Sequence, residues 1–203
     1  VHLRLDRFEE CLAQFPEREY VYFNGNLGDP MMNPQILQLT AMTGCRTSVT
    51  TNGSIGSRHT WEQFAKSGVE ATFSIDGLED TNHLYRKNAK WDSIMTAVKT
   101  LKDNDFKMIW QFIPFKHNQH QIYDASNLSK ELGFDEFKLL PSDRWLGNKE
   151  LMPDKEYVDN YHEHQKAVLI DKNYESGMEP NCLKNELPSN NLYIDAEGDF
   201  YPC

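Results

Sequence analysis

Between residues 20 and 140 the sequence alternates short β-branched or aromatic runs with amphipathic helical runs, and the links between them are short. The β runs fall near 20–23, 46–51, 69–75, 106–115 and 134–140. The first, Tyr20-Val21-Tyr22-Phe23, reads as a buried strand. Helical spacing is read over Val1–Phe15 (Leu3, Leu5, Phe8, Leu12, Phe15), ended by Pro16. It returns over Ile36–Met42, stopped by Gly44, and over Thr60–Lys66 with Thr60 as its cap. Trp91–Leu101 and Ile122–Leu132 complete the set, the last ending at Gly133. Strand and helix alternating in this way fold as right-handed βαβ units on a parallel sheet.

Beyond Trp145 the pattern weakens. One helix is read over Tyr157–Ile170. After Cys182, two short alternating runs flank Ala196-Glu197-Gly198 and predict a β-hairpin. This shift in composition places a domain boundary near residue 178. The 203 residues suffice for one domain with a sizeable core and a small appendage. A net charge of −10 and a pI near 5.1 argue against a general binder of nucleic acid or anionic membrane. No apolar run approaches a membrane span and no leader is read at Val1, so a cytoplasmic location is expected. The chain opens on Val1 and closes on Cys203, and both ends read as cut.

The candidate functional residues cluster where the strands end. Asn24-Gly25, then Gly28-Asp29-Pro30, follow the first strand, so a glycine turn carries one carboxylate into a helix. Such a βα loop binds ligands at the carboxyl edge of a sheet, or else it is a plain connection in which Asp29 caps the next helix. Asn52-Gly53, Asp76-Gly77 and Asn118 follow later strands. Asp76-Gly77 also reads as a structural turn, and Arg86 as a surface ion-pair partner. His117/His120 and His162/His164 have metal-like spacings with no acid or Cys fixed beside them, which favours solvated histidines. Cys11 and Cys45 read as inert thiols. Trp145, Tyr157 and Tyr161 read as packing residues.

Taken together, these words resemble the radical S-adenosylmethionine (SAM) enzymes of the SPASM/twitch branch, over nearly the whole chain. Gly25-Asn26-Leu27-Gly28-Asp29-Pro30 resembles the family's glycine-glycine-acid loop, with Asp for Glu. Thr50-Thr51-Asn52-Gly53 resembles its Thr-Asn-Gly, and Ser74-Ile75-Asp76-Gly77 its Ser-Ile-Asp-Gly, with Arg86 at the usual distance. The resemblance implies an α/β fold: a partial (β/α)6 TIM-like barrel core over 1–178, missing its first strand. The start of a small cysteine-containing hairpin extension follows over 179–203. It also implies SAM as cofactor, held by Gly25, Gly28, Asp29, Pro30, Thr51, Asn52, Ser74, Asp76, Arg86 and Gln111. The first loop would take the methionyl ammonium, which wants carbonyls and a carboxylate around it. Ser74 and Arg86 would take carboxylate and ribose, a guanidinium matching a carboxylate in a fork.

Cys182 and Cys203 resemble two ligands of an auxiliary iron–sulfur cluster, and they also suit a disulfide or half a zinc site. The family's Cys-x3-Cys-x2-Cys motif is absent, so this chain is expected to be a fragment that does not cleave SAM alone. The full-length protein is then expected to be a SAM-cleaving oxidoreductase. It would use a 4Fe-4S cluster, an electron donor and an unknown substrate, in this branch often a peptide or protein. A degenerate, cluster-less homologue acting as a binding subunit is the alternative. An ordinary barrel lyase or isomerase ranks last, for want of an acid/base pair. A missing first strand would also leave the edge of the Tyr20–Phe23 strand exposed.

Overall fold

The computed structural model describes residues 2–25, 28–140, 148–154, 192–194 and 200–202. The chain divides into two compact units, Glu19–Val168 and a second made of Val1–Arg18 with Leu169–Cys203.

The first unit holds a five-stranded sheet: β1 Tyr20–Asn24, β2 Arg46–Thr51, β3 Glu70–Ser74, β4 Met108–Phe112 and β5 Glu136–Leu139. The strands are all parallel and lie in the order of the chain. Its helices are α2 Ile36–Met42, α3 Arg58–Ala65, α4 Asn82–Tyr85, α5 Trp91–Lys102 and α6 Ile122–Glu131. In the second unit, α1 spans Leu5–Ala13 and buries Phe8 and Cys11. There too, β6 Leu192–Ile194 pairs antiparallel with β7 Phe200–Pro202. The readings at Cys182, Cys203, His162, His164, Trp145 and the 157–170 helix lie outside the described residues.

Sequential order carries a consequence. Crossovers of one hand between neighbours laid down in order place every helix on the same face of the sheet. That face is apolar. Val49, Ala71, Phe73, Met108, Trp110 and Phe112 point into a core with Trp61 and Phe64 of α3, Ile94, Val98 and Leu101 of α5 and Ala125 of α6. Aromatic rings knit it together: Trp61 and Phe73 lie 5.9 Å apart, and Phe73 meets Phe134 edge-on at 5.7 Å. Each such pair contributes about 0.5–1.5 kcal/mol beyond the area it buries.

The intervening residues face the other way and, Ile109 apart, are polar or carry a polar group. Tyr20, Ser48, Glu70, Thr72, Gln111 and Lys138 are among those that line a cavity of about 390 Å³ on this face. The period-2 alternation inside each strand therefore sorts a hydrophobic face from a polar one, where a sheet covered on both faces would carry continuous apolar runs. Across the polar face, Tyr20 hydrogen-bonds Ser48 and Tyr22 hydrogen-bonds Thr50. Glu70 is shared by Arg46, whose Nη2 lies 2.9 Å from Oε1, and by Lys107, whose Nζ also lies at 2.9 Å. The Lys107 hydrogen bond, then that of Arg46, holds the Glu70 carboxyl below its ordinary value of 4.5.

Three expectations are corrected. The first strand is not buried: Tyr20 and Tyr22 are each 47% exposed, because they belong to the polar face of a strand at the sheet's edge. α3 starts two residues before Thr60, and its cap is Ser57, whose Oγ accepts from the Thr60 N–H at 3.1 Å. β4 stops at Phe112, short of Phe115, because the Ile113 N–H leaves the ladder for the Asp76 carboxylate, 2.7 Å away.

Two measurements check this packing. Gly53 has φ +74°, and a Cβ there would sit 2.7 Å from the Phe73 ring. Gly53→Ala is expected to lower stability by ~2–3 kcal/mol in urea unfolding, from overpacking and a left-handed backbone together. Because the Glu70 pKa is lowered by folding, its contribution is complete above the unfolded value of 4.5 and is lost as pH falls through the lower folded value. Wild type is therefore expected to lose more stability between pH 5 and pH 3 than Glu70→Gln does, read as the shift in urea midpoint.

Candidate functional site

The carboxyl ends of β1 to β4 converge on a second cavity, of about 120 Å³. Gly25, Gly28 and Asp29 reach it from the loop after β1, and Thr51 and Asn52 from the end of β2. Ser74 closes β3, Arg86 follows α4, and Gln111 belongs to β4. Eight of the ten cofactor-binding residues named from the sequence thus share one rim. Pro30 and Asp76 are not in its lining.

Asp29 caps. Its Oδ1 accepts from the Met31 N–H at 2.9 Å, opening a 3-10 turn over Pro30–Met32, which is where Pro30 is spent. The same carboxylate reaches across to β2, accepting from Thr51 Oγ1 at 2.9 Å and from the Asn52 N–H at 2.7 Å. Thr51 Oγ1 accepts in turn from the Gly53 N–H at 3.0 Å. Asn52 folds its side chain back, Oδ1 accepting from the Ser54 N–H at 2.8 Å. A carboxylate offers about four acceptor positions, and three protein donors use Asp29. Thr51 Oγ1 also lies 3.0 Å from Oδ2, so each oxygen of this cavity-lining carboxylate has two protein contacts. These bonds tie Asp29 to the end of β2.

Asp76 lies beneath the site, with no exposed surface. Its Oδ2 accepts from Arg86 Nε at 2.6 Å and its Oδ1 from the Ile113 N–H. Gly77, at φ +136°, makes the turn that follows: a Cβ there would clash with Thr81 and come within 2.9 Å of the Asn82 N. Asn82 Oδ1 then accepts from the Asp76 N–H at 2.9 Å. Arg86 is the residue at the carboxyl end of α4, about one-fifth exposed in its side chain, with its guanidinium carbon 5.4 Å from the Tyr85 ring centre. Among the described residues its two terminal nitrogens make no hydrogen bond, its Nε making the one to Asp76.

Asn118, to which the sequence assigned no task, is fully buried and brackets the same turn. Its Nδ2 donates to the Asp76 carbonyl at 2.9 Å and the Ile113 carbonyl at 3.0 Å, and its Oδ1 accepts from the Phe115 N–H. Gln121 completes the bracket, accepting from the Leu78 N–H at 3.0 Å and donating to Asp80 at 2.8 Å. An amide type just past a strand end was the available signal for both.

The histidine pair at 117 and 120 has no third ligand, since no group of three His, Cys, Asp or Glu suited to a metal occurs among the described residues. His117 stacks on Phe115 at 5.5 Å, and burial, then the charge of His120, pushes its pKa below the ordinary 6.5. Cys45 donates to the neighbouring Arg46 carbonyl. Among the described residues no helix is long and apolar enough to cross a membrane.

No family model matches the chain, and no curated protein sequence does either. Solved structures do. Streptococcus suis SuiB, solved bound to S-adenosylmethionine and also bound to precursor peptide SuiA, aligns at TM-scores of 0.66 and 0.68 with 18% identity. Both alignments cover 98% of this chain and 52% of SuiB. The fold is shared. anSMEcpe with bound AdoMet aligns at 0.68 and 14% identity, over 99% of this chain and 62% of that one. A domain of pyruvate-formate lyase-activating enzyme from Bacteroides vulgatus aligns at 0.57 and 14% identity, over 74% of this chain and 94% of that one. The chain therefore spans about half the length of SuiB, and at these identities the likeness establishes the fold.

Thr51→Val tests the staple between the first two loops. It keeps the volume but leaves the Gly53 N–H without an acceptor and removes a donor to Asp29. Stability is expected to fall by ~1–3 kcal/mol in thermal or urea unfolding.

Proposed function

We propose that this chain is the SAM-binding part of a radical SAM enzyme. One observation carries the reading: a single cavity at the strand ends gathers Gly25, Gly28, Asp29, Ser74, Arg86 and Gln111 from successive βα segments. Its chemistry suits the amino-acid end of SAM, an ammonium and a carboxylate on one carbon. Asp29 brings a negative charge to the cavity for the ammonium, beside the backbone of Gly25 and Gly28. Arg86, its Nε tied to Asp76, keeps two terminal nitrogens for the carboxylate. Ser74 and Gln111 supply a hydroxyl and an amide, with Thr51 and Asn52 holding the loop against them. Fold likeness to SuiB and anSMEcpe, both solved with this molecule, supports the choice.

The four-iron cluster is a different matter. The described residues offer no set of thiolates or other ligands that would hold it. Cys11 is buried in α1 and Cys45 stands alone. We place its ligands outside the described residues, and assign Cys182 and Cys203 to an auxiliary cluster in an extension over 179–203. With that cluster supplied, the family's chemistry is reductive cleavage of SAM for hydrogen abstraction from substrate, using an electron donor. This chain's residues contribute binding, orientation and exclusion of water. The polar sheet face would be the inner wall of a partial barrel. SuiB is solved with a precursor peptide and anSMEcpe with a Cp18Cys peptide, which supports a peptide as the substrate class here.

Isothermal titration with SAM tests the pocket directly. Wild type is expected to bind, and Arg86→Ala to bind about 10- to 100-fold more weakly, the worth of one charge-assisted contact. Absence of binding by wild type, or equal binding by Arg86→Ala, removes the reading. For the whole enzyme, anaerobic reconstitution with iron and sulfide is expected to yield 5′-deoxyadenosine.

A further inference from the structure

Arg86 reaches the cavity from a short helix behind a glycine turn, a poor platform for a side chain with four rotatable bonds. What fixes it is a fully buried carboxylate. Asp76 accepts from Arg86 Nε at 2.6 Å, which leaves the fork of Nη1 and Nη2 directed away from that bond. Besides Asn82 of α4, which holds its N–H, Asp76 is held by elements other than the one carrying Arg86. The Ile113 N–H fixes its other oxygen at 2.7 Å, and Asn118 Nδ2 holds its carbonyl at 2.9 Å while binding the Ile113 carbonyl at 3.0 Å. The Trp110 indole N–H adds a further tie, donating to the Ile75 carbonyl at 2.8 Å. The end of β4 thus clamps the end of β3, and the clamp sets the angle at which the guanidinium meets a ligand.

We infer that Asp76, clamped by Asn118, is a positioning residue. It makes Arg86 a reader of the ligand's carboxylate, so that the pocket discriminates SAM from adenosyl thioethers that lack the amino-acid end. The inference rests on the SAM reading proposed above. It assigns Asp76 no contact with the ligand, although Asp76 sits inside the Ser-Ile-Asp-Gly word that suggested one. Asp76→Asn keeps shape and volume but turns an amide N–H toward either Arg86 Nε–H or the Ile113 N–H, donor against donor. The guanidinium must then leave its place, and affinity for the carboxylate goes with it. Affinity for the rest of the ligand does not.

Titration of four proteins with two probes tests this. The proteins are wild type, Asp76→Asn, Arg86→Ala and the double variant, and the probes are SAM and 5′-methylthioadenosine, which lacks the carboxylate and ammonium. Asp76→Asn is expected to bind SAM about tenfold more weakly and methylthioadenosine within about twofold of wild type. The double variant is expected to bind SAM no more weakly than Arg86→Ala, because the two residues act through one contact. Wild-type SAM affinity in Asp76→Asn overturns the inference. So does equal weakening toward both probes, which marks a merely structural role, and so does an additive loss in the double variant. If wild type binds neither probe, the SAM reading falls and the inference falls with it. Should Asp76→Asn fail to fold, NMR of ¹⁵N-arginine-labelled wild type decides. A protected Arg86 Nε–H before SAM is added supports preorganisation, and one that becomes protected only after SAM is added overturns it.

Discussion

A carboxylate with no exposed surface organises one side of this site. Burying Asp76 strips it of water, and that is tolerated because a guanidinium and a backbone N–H replace the water at 2.6 and 2.7 Å. Removing one member of such a buried pair leaves the other uncompensated, a loss of roughly 3–5 kcal/mol. The bonds also do something a hydrophobic contact does not. They are directional, and they terminate β4 by taking its next N–H out of the ladder. The strand end, the turn and the orientation of Arg86 are therefore consequences of one interaction.

The sheet that presents this interaction is divided by its own topology. Strands in chain order with crossovers of one hand leave every helix on one face, so the other is free to be polar. A doubly wound sheet reverses its strand order and covers both faces. Here there is no reversal, and the sequence alternation answers it: Val49 and Phe73 point to the helices, Ser48 and Thr72 away from them. The polar face and the cavity at the strand ends share Tyr22 and Gln111 as lining, so the two spaces adjoin.

The strand count, their parallel order and the rim residues were legible because they follow from periodicity and from short words at strand ends. Alternation over 20–140 is a local signal, and the candidate ligands other than Arg86, which follows α4, sit close to a strand terminus. What was not legible is where each polar side chain spends its hydrogen bonds. Asp76 and Asp29 occupy equivalent places in the sequence, each beside a glycine after a strand. One turns inward to Ile113, 37 positions away, and the other lines the cavity. Asn118 likewise finds Asp76 across 42 positions. Pairings over that distance leave no mark on a linear pattern. Ser57 was missed for a smaller reason: Ser57 and Thr60 both qualify as caps, and only backbone direction separates them.

Asp29 shows why a structural and a ligand-binding assignment need not compete. Without protein donors the carboxylate would swing freely, and ordering it would fall on the ligand. Three donors, from Met31, Thr51 and Asn52, hold it at the cavity, the Thr51 hydroxyl within reach of both oxygens, and its negative charge still faces the cavity. Arg86 repeats the arrangement with the charge reversed, one nitrogen anchored and two available. A pocket built from one tethered carboxylate and one tethered guanidinium is ordered before any ligand arrives, and it matches a zwitterion better than either charge alone.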